Sequence, residues 1–226
     1  MQINERPTFY RDIHKGIRMM LADLVQRAGT TDFGDPTAVA ALRTAVVDGF
    51  ALLEAHAAHE DSFVEPLLAR YAPDLAHELA SAHDEQHQRM RSLVALLLDE
   101  ERGGREAWTR GQVFGVALSR FVGELQTHMA DEEERAMPAL WAAMTDDEIQ
   151  VVHHALVSSV APPELMATFR WMLPAMRHRD RVAMLAGIQA GAPPEVLAAV
   201  LGLCDQVLAP HESAALRQAL GAARAA

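Results

Sequence analysis

The stretch HAAHEDSFVEP at residues 56–66 decides the fold, because its pattern recurs as HMADEEERAMP at residues 128–138. Each copy has a histidine, an acid four residues later and a proline six residues after the acid. The positions are His56, Glu60 and Pro66 in the first copy and His128, Glu132 and Pro138 in the second. With 11 His, 31 acids and 11 Pro among 226 residues, chance predicts about 1.5 histidine–acid pairs but roughly 0.07 full patterns. The repetition indicates two equivalent helices of one bundle.

The spacing within each copy has a direct structural meaning. At 3.6 residues per turn, two residues four apart stack on one helical face, so His56 and Glu60 can share one ligand. The same holds for His128 and Glu132. Each predicted helix therefore presents an imidazole and a carboxylate side by side.

The composition favours an all-α protein. Half of the chain is apolar but only 5% is aromatic, and Ala and Leu outnumber the β-branched residues Val and Ile, which matches helical rather than strand preferences. A chain of 226 residues is long enough to bury a hydrophobic core. Its single cysteine, Cys204, lies among Leu and Val in a helical pattern and is expected to be buried and inert.

The charge and hydropathy exclude two classes of partner. The formal net charge of -11 leaves no basic stripe that could neutralise a nucleic-acid backbone. No stretch approaches the roughly 18 apolar residues of a membrane span, and the start MQINERPTFYRDIHK has no apolar signal region. We expect a soluble, cytoplasmic protein without nucleic-acid or membrane partners.

Four long helices are predicted in the first two thirds of the chain, from apolar periodicity and from turn residues. The first spans residues 8–28, the second 36–69, the third begins after a turn with Asp74 as a candidate cap, and the fourth follows a charged loop at 99–107 and ends near 144. Short connections make antiparallel neighbours, so residues 1–144 are predicted to form an up-down-up-down four-helix bundle.

The last third, residues 145–226, has shorter amphipathic segments. Thr145 and Glu148 form a capping box, and APPEL at 161–165 returns as APPEV at 192–196, both typical of helix starts. Helices are predicted at 146–159, 163–177, 179–190, 194–208 and 211–221. This C-terminal helical extension is open to several interpretations, among them a homodimer face, a substrate pocket and a docking surface.

Seven titratable side chains fall on the inward faces of the four predicted long helices. They are His14, His56, Glu60, His83, His87, His128 and Glu132. Burying them without partners would cost several kcal/mol each, a cost that a bound metal removes. Imidazole and carboxylate together suit iron, with manganese and zinc as alternatives, and seven ligands exceed what one ion uses but suit two ions bridged by carboxylates.

These residues resemble the hemerythrin family, in its HHE cation-binding branch, over about residues 8–142. The resemblance rests on IHKGIR, HAAHEDSFVEPLL, HDEQHQRMRSL and HMADEEERAMPAL around the seven side chains. It implies a non-haem di-iron centre in which Glu60 and Glu132 bridge two irons and the histidines cap them. One iron would keep an open position for O2, NO or peroxide.

Three features depart from the oxygen carriers of that family. Their last acid follows its histidine by five residues, whereas Glu132 follows by four and Glu133 stands at five, so either acid is a candidate bridge. Many relatives use one histidine of the third helix, and the run EQHQRMRSL favours His87 as the common one, with His83 as an extra ligand. The carriers also have no counterpart of residues 145–226.

Two functions of different classes follow from this resemblance. One is reversible binding or sensing of O2, NO or peroxide. The other is a di-iron oxidase, oxygenase or peroxidase acting on a small molecule, with the C-terminal helices shaping its pocket. The rival ferritin-like site needs Glu-x-x-His on two helices, and this sequence has only one Asp-x-x-His, at Asp84 and His87.

Overall fold

A computed structural model describes residues 6–98 and 105–225 of the chain. It is helical throughout, and these residues contain no β-strand, which confirms the predicted all-α class. The helices are α1 (Arg11–Thr30), α2 (Pro36–Phe63), α3 (Glu65–Tyr71), α4 (Pro73–Leu98), α5 (Arg105–Asp131), α6 (Met137–Ala143), α7 (Asp146–Ser159), α8 (Pro162–Ala175), α9 (His178–Gly191), α10 (Pro194–Val207) and α11 (Pro210–Ala225). A π-helical turn, Glu132–Ala136, joins α5 to α6. Within the described ranges no helix combines the length and hydropathy needed to cross a bilayer.

Contacts divide the chain into two compact units. The first comprises the described residues of Met1–Arg11 and Met20–Ser159, and the second comprises Asp12–Met19 and the described residues after Val160. Helix α7 therefore belongs to the first unit, fifteen residues beyond the boundary expected from the sequence. The division into a bundle domain at residues 1–144 and a C-terminal extension at residues 145–226 stays a prediction.

The second half of α1 packs with α2, α4 and α5 as the predicted four-helix bundle. Gly49 of α2 lets α1 approach closely, since a Cβ at this glycine would lie 3.0 Å from Leu24 Cδ1. Phe50 of α2 and Phe121 of α5 meet edge to face at 5.5 Å between ring centroids. Short connections between antiparallel helices place the end of α2, the first half of α4 and the end of α5 at one end of the bundle.

Both motif prolines interrupt the long helices that the sequence predicted as continuous. Proline has no N–H and its ring crowds the carbonyl of the preceding turn. In the second predicted helix, Pro66 ends α2 at Phe63, and α3 restarts at Glu65 with the amides of Leu67 and Leu68 both bonded to Val64 O. The uninterrupted helix 36–69 was therefore wrong.

The same event takes another form near Pro138. Here the backbone widens into the π turn, in which the Met137 N–H bonds to Glu132 O five residues back. The predicted continuous helix to residue 144 is thus α5, a π turn and α6. Such π bulges recur at functional sites because they redirect the side chains of one turn.

The remaining predicted boundaries differ by a few residues. Helix α4 begins at Pro73, so Asp74 lies in the first turn instead of capping it. Helix α5 begins at Arg105, which makes residues 105–107 helical, while the rest of the predicted 99–107 loop lies outside the described residues. The capping box of α7 is confirmed by a 2.8 Å bond from the Thr145 N–H to Glu148 Oε2.

The second unit has a hydrophobic core of its own. It is built from α8 to α11 around Phe169, Leu173, Leu185, Val200, Leu203, Cys204, Leu208, Leu216 and Leu220. Cys204 is fully buried, as expected, and burial raises the pKa of its thiol. Proline at the first turn starts α8, α10 and α11, where its missing N–H costs no hydrogen bond.

A buried arginine ties α8, α9 and α11 together in this unit. Arg181 is 5% exposed and donates to Leu173 O at 2.7 Å, to Pro174 O at 3.3 Å and to Glu212 Oε1 at 2.9 Å. Two of these acceptors are carbonyls in the last turn of α8, and Leu173 O also accepts a longer bond of 3.4 Å from the Met176 N–H. The guanidinium of Arg181, which belongs to α9, thus caps the C-terminal end of α8.

Replacing Arg181 by Met should lower the free energy of unfolding by roughly 1–3 kcal/mol, because buried acceptors lose their donor while the side-chain volume is kept. Arg179→Met is the matched control, since that side chain is 70% exposed and lies two residues away. Urea unfolding followed by circular dichroism measures both. Equal stability of the two variants would contradict the structural role of Arg181.

Candidate metal centre

The two copies of the motif come together in the bundle core. In α2, His56 Nε2 lies 3.1 Å from Glu60 Oε1, and in the second copy His128 Nε2 lies 3.0 Å from Glu132 Oε1. Both glutamates are buried, at 6% and 2% exposed. The spacing of four residues therefore does what the helical period predicts, and tertiary packing turns the two pairs toward one another.

His83 of α4 stands between the two carboxylates. Its Nε2 lies 3.3 Å from Glu60 Oε2 and 3.8 Å from Glu132 Oε1. The rings of His83 and His128 meet edge to face, with centroids 4.8 Å apart. One ligand atom from each of Glu60, His83, His128 and Glu132 lies within 4.8 Å of the others. These four side chains are called the four-residue cluster below.

Asp61 fixes the orientation of His83 from outside the cluster. Its Oδ1 lies 2.9 Å from His83 Nδ1, the ring nitrogen that faces away from the carboxylates. A carboxylate at this nitrogen holds a proton on Nδ1 and directs Nε2 toward the cluster, where a bound cation would replace the Nε2 proton. The Asp61 side chain is 44% exposed, so the interaction reaches the surface.

The electrostatics of the cluster show an excess of negative charge. Burial raises the pKa of Glu60 well above its ordinary value, the charge of Glu132 raises it further, and the bond to His83 opposes both. Burial lowers the pKa of His83, but its bonds to Glu132, Glu60 and Asp61 outweigh burial and raise it to about 11. A positive charge at this point is therefore strongly favoured.

Tyr10 lies beside the same carboxylates. It is 2% exposed, and burial followed by the charges of Glu60 and Glu132 raises the pKa of its phenol well above the ordinary value. The phenol consequently keeps its proton and acts as a neutral hydrogen-bond donor near two anionic acceptors.

The donor set of the cluster fits a metal cation. Imidazole nitrogens and carboxylate oxygens are ligands for iron, manganese and zinc, and here they converge from α2, α4 and the end of α5 in a buried place. A cation between Glu60 and Glu132 would remove the repulsion that raises the Glu60 pKa. The residues present therefore suit a metal ion.

The other predicted ligands have different positions. His14 is fully buried on α1, within the Asp12–Met19 segment that belongs to the second unit. His87 is half-buried one turn after His83 and is not in the four-residue cluster. Glu132, not Glu133, is the acid that joins the cluster. The ligand roles of His14 and His87 remain predictions.

Sequence reasoning missed two residues of this region. Tyr10 lies one helical turn before His14, and this spacing was a usable signal. Asp61 directly follows Glu60, and the neighbour of a buried helical residue is expected to point away from the core. Its bond to His83 depends on how α4 packs, which no local pattern in the sequence encodes.

The larger cavity of the first unit lies elsewhere. A groove of about 780 Å³ is lined by the end of α1 and the start of α5, including Phe33, Trp108 and Gly115. Gly115 and His128 are thirteen residues apart on α5, which corresponds to roughly 20 Å along the helix. A cavity of about 20 Å³ adjoins the four-residue cluster instead. The large groove and the four-residue cluster are therefore at different places in this unit.

Comparison with known families agrees with the donor set. The model of the hemerythrin HHE cation-binding domain matches residues 8–140, more than half of the chain. The chain belongs to this family. Neither the curated proteins nor the solved structures that were compared gave a match.

The match covers the HHE bundle from the residues before α1 to α6. All four members of the cluster, together with Tyr10 and Asp61, fall inside it. The helices α7 to α11 lie beyond the matched residues. The cation-binding description of the family and the buried His/Glu cluster thus agree on the same part of the chain.

Replacing Asp61 by Ala should weaken metal binding by about tenfold to a hundredfold, the usual effect of removing a carboxylate that orients a histidine ligand. The half-exposed position should tolerate the change without loss of the fold. Zn(II) competition with a chromophoric chelator measures the affinity. Asp84→Ala, at an exposed position next to His83, is the control and should bind Zn(II) like the unmodified protein. Equal affinity of the two variants would rule out a role for Asp61.

Proposed function

We propose that this HHE-domain protein holds a non-haem di-iron centre that binds or senses a small ligand such as O2, NO or peroxide. The observation that carries the proposal is the convergence of two buried His-x3-Glu pairs and His83 at one point in the bundle core. These three histidines and two glutamates, with one glutamate from each copy of the motif, suit two ions better than one. Manganese and zinc are alternative occupants.

Each protein group has a defined part in this proposal. Glu60 and Glu132 would bridge the ions, and the histidines would cap them, with His14 and His87 added to His56, His83 and His128. Bound iron would supply an open coordination position and electrons for the small ligand. The buried aliphatic side chains beside the cluster, Val64, Leu68 and Leu79, would exclude water and slow the loss of reduced oxygen.

A di-iron oxidase, oxygenase or peroxidase is the second candidate. The presence of Tyr10 beside both carboxylates favours it, because a buried phenol can donate a hydrogen bond to a reacting ligand. In this version α8 to α11 would shape the pocket for the small-molecule substrate. A cytoplasmic location and a homodimer formed through these helices complete the proposal in either version.

The ligand assignment can be tested with metal content. In His56→Ala and Glu132→Ala, bound iron should fall from about two per chain to below about one, because each variant removes a donor from a buried site. His153→Ala and His211→Ala are the controls, since both histidines are exposed and their loss should leave the iron content unchanged. Two irons retained in both ligand variants would contradict the assignment. Iron should also raise the melting temperature of the unmodified protein and not that of Glu132→Ala.

Oxygen distinguishes the two functions. The protein is loaded with Fe(II) without air, its iron is counted, and O2 is admitted while the visible spectrum and O2 uptake are recorded. We expect a charge-transfer band that persists and disappears when O2 is removed. Continued O2 uptake in the presence of a reductant would instead support the enzyme. Absence of any iron-dependent response would overturn the proposal in both versions.

A further inference from the structure

The small cavity beside the four-residue cluster has the size of a diatomic molecule. Its volume is about 20 Å³, and one water needs roughly 10–15 Å³. It lies where α2, α3 and α4 meet the residue that precedes α1. A guest of one or two heavy atoms therefore fits next to Glu60, His83 and Glu132.

The walls of this cavity differ in chemistry. Its lining includes the aliphatic Val64, Leu68 and Leu79, the acids Glu60, Asp61, Glu65 and Glu132, and the rings of His83 and Tyr10. Both nitrogens of His83 already face carboxylates, Nδ1 at Asp61 and Nε2 at Glu60. Among the described residues that line the cavity, Tyr10 provides the one hydroxyl. A guest that accepts a hydrogen bond would find its donor there.

The segment before α1 holds Tyr10 in this position. Arg6 donates to Trp141 O at 2.7 Å and to Met144 O at 2.9 Å, and the Trp141 indole N–H donates to Pro7 O at 2.8 Å. The ring of Phe9 meets Tyr10 edge to face at 6.4 Å. These bonds hold the backbone just before Tyr10 against α6 and Met144.

We propose that Tyr10 is the residue that donates a hydrogen bond to a diatomic ligand held in the cavity beside Glu60, His83 and Glu132. The proposal deepens the proposed function and rests on it. It explains why a tyrosine is buried among acceptors in a wall that is otherwise aliphatic or anionic. The bond retains a ligand with an acceptor atom, such as NO or O2, in preference to one without.

The test compares Tyr10→Phe with Tyr71→Phe. The two are the tyrosines of this chain, and Tyr71 is 38% exposed with its ring against Arg70, outside the residues that line the cavity. Both changes remove one oxygen atom and keep the ring. Each protein is loaded with Fe(II) without air, and its iron content and melting temperature are measured. NO is then added as the probe.

Two readouts on NO follow. In Tyr10→Phe, NO should leave roughly fivefold faster than from the unmodified protein, as expected for the loss of one net hydrogen bond. The N–O stretching frequency should shift between H2O and D2O in the unmodified protein and in Tyr71→Phe, because the donated proton exchanges. In Tyr10→Phe this isotope shift should be absent.

Three results would overturn the proposal, and they have different meanings. Unchanged NO release and an unchanged isotope shift in Tyr10→Phe would show that the phenol does not contact the ligand. Lower iron content in Tyr10→Phe than in Tyr71→Phe would mean that Tyr10 supports the metal and not the guest. An unmodified protein that carries iron but takes up no NO would overturn the proposed function, and the role of Tyr10 with it.

Discussion

Two buried carboxylates, Glu60 and Glu132, face one point in the core of the bundle. Their mutual repulsion is the constraint that the surrounding side chains must offset. Burial and mutual charge both penalise the ionised pair. The neighbouring histidines reduce the penalty, and His83 does so with a pKa raised to about 11. A metal cation would satisfy the same demand with more charge. A family defined by cation binding is the setting in which such an arrangement is expected.

The motif prolines explain how these carboxylates are delivered without long, uniform helices. Pro66 ends α2 just past Glu60, and the turn before Pro138 widens at Glu132. In both places the α-helical hydrogen-bond pattern is interrupted shortly after the buried acid. The residues that follow, among them Val64, Met137 and Leu140, pack into one hydrophobic cluster with Phe9, Tyr10 and Leu79. The site thus lies beside a hydrophobic cluster to which the residues near both prolines contribute.

The second unit is stabilised in a different way. Its core is hydrophobic, and a buried arginine donates hydrogen bonds to two carbonyls at the end of α8. This core is built from the unit's own helices and includes none of the four cluster residues. Helix α7 belongs by contact to the HHE bundle, although the family match stops at residue 140. The compact unit and the matched domain are therefore related but not identical.

The sequence by itself determined the helical class, the approximate limits of most helices and the two His-x3-Glu pairs. Helical periodicity is local, so a spacing of four residues fixes that His56 lies beside Glu60 and His128 beside Glu132 whatever the rest of the chain does. The twice-repeated proline was equally visible. Its effect was not, because a proline can kink, end or widen a helix and the surrounding packing selects among these outcomes.

Only the tertiary structure decided which groups meet across helices. It placed His83 of α4 between the carboxylates, while the sequence had named both His83 and His87, and it brought Glu132 into the cluster. It also brought Asp61 to His83 and Tyr10 to the cavity. Each of these outcomes depends on the rotation of one helix against another. A rotation of one residue position, about 100° at 3.6 residues per turn, exchanges a buried ligand for an exposed one, and no pattern within a single helix encodes it.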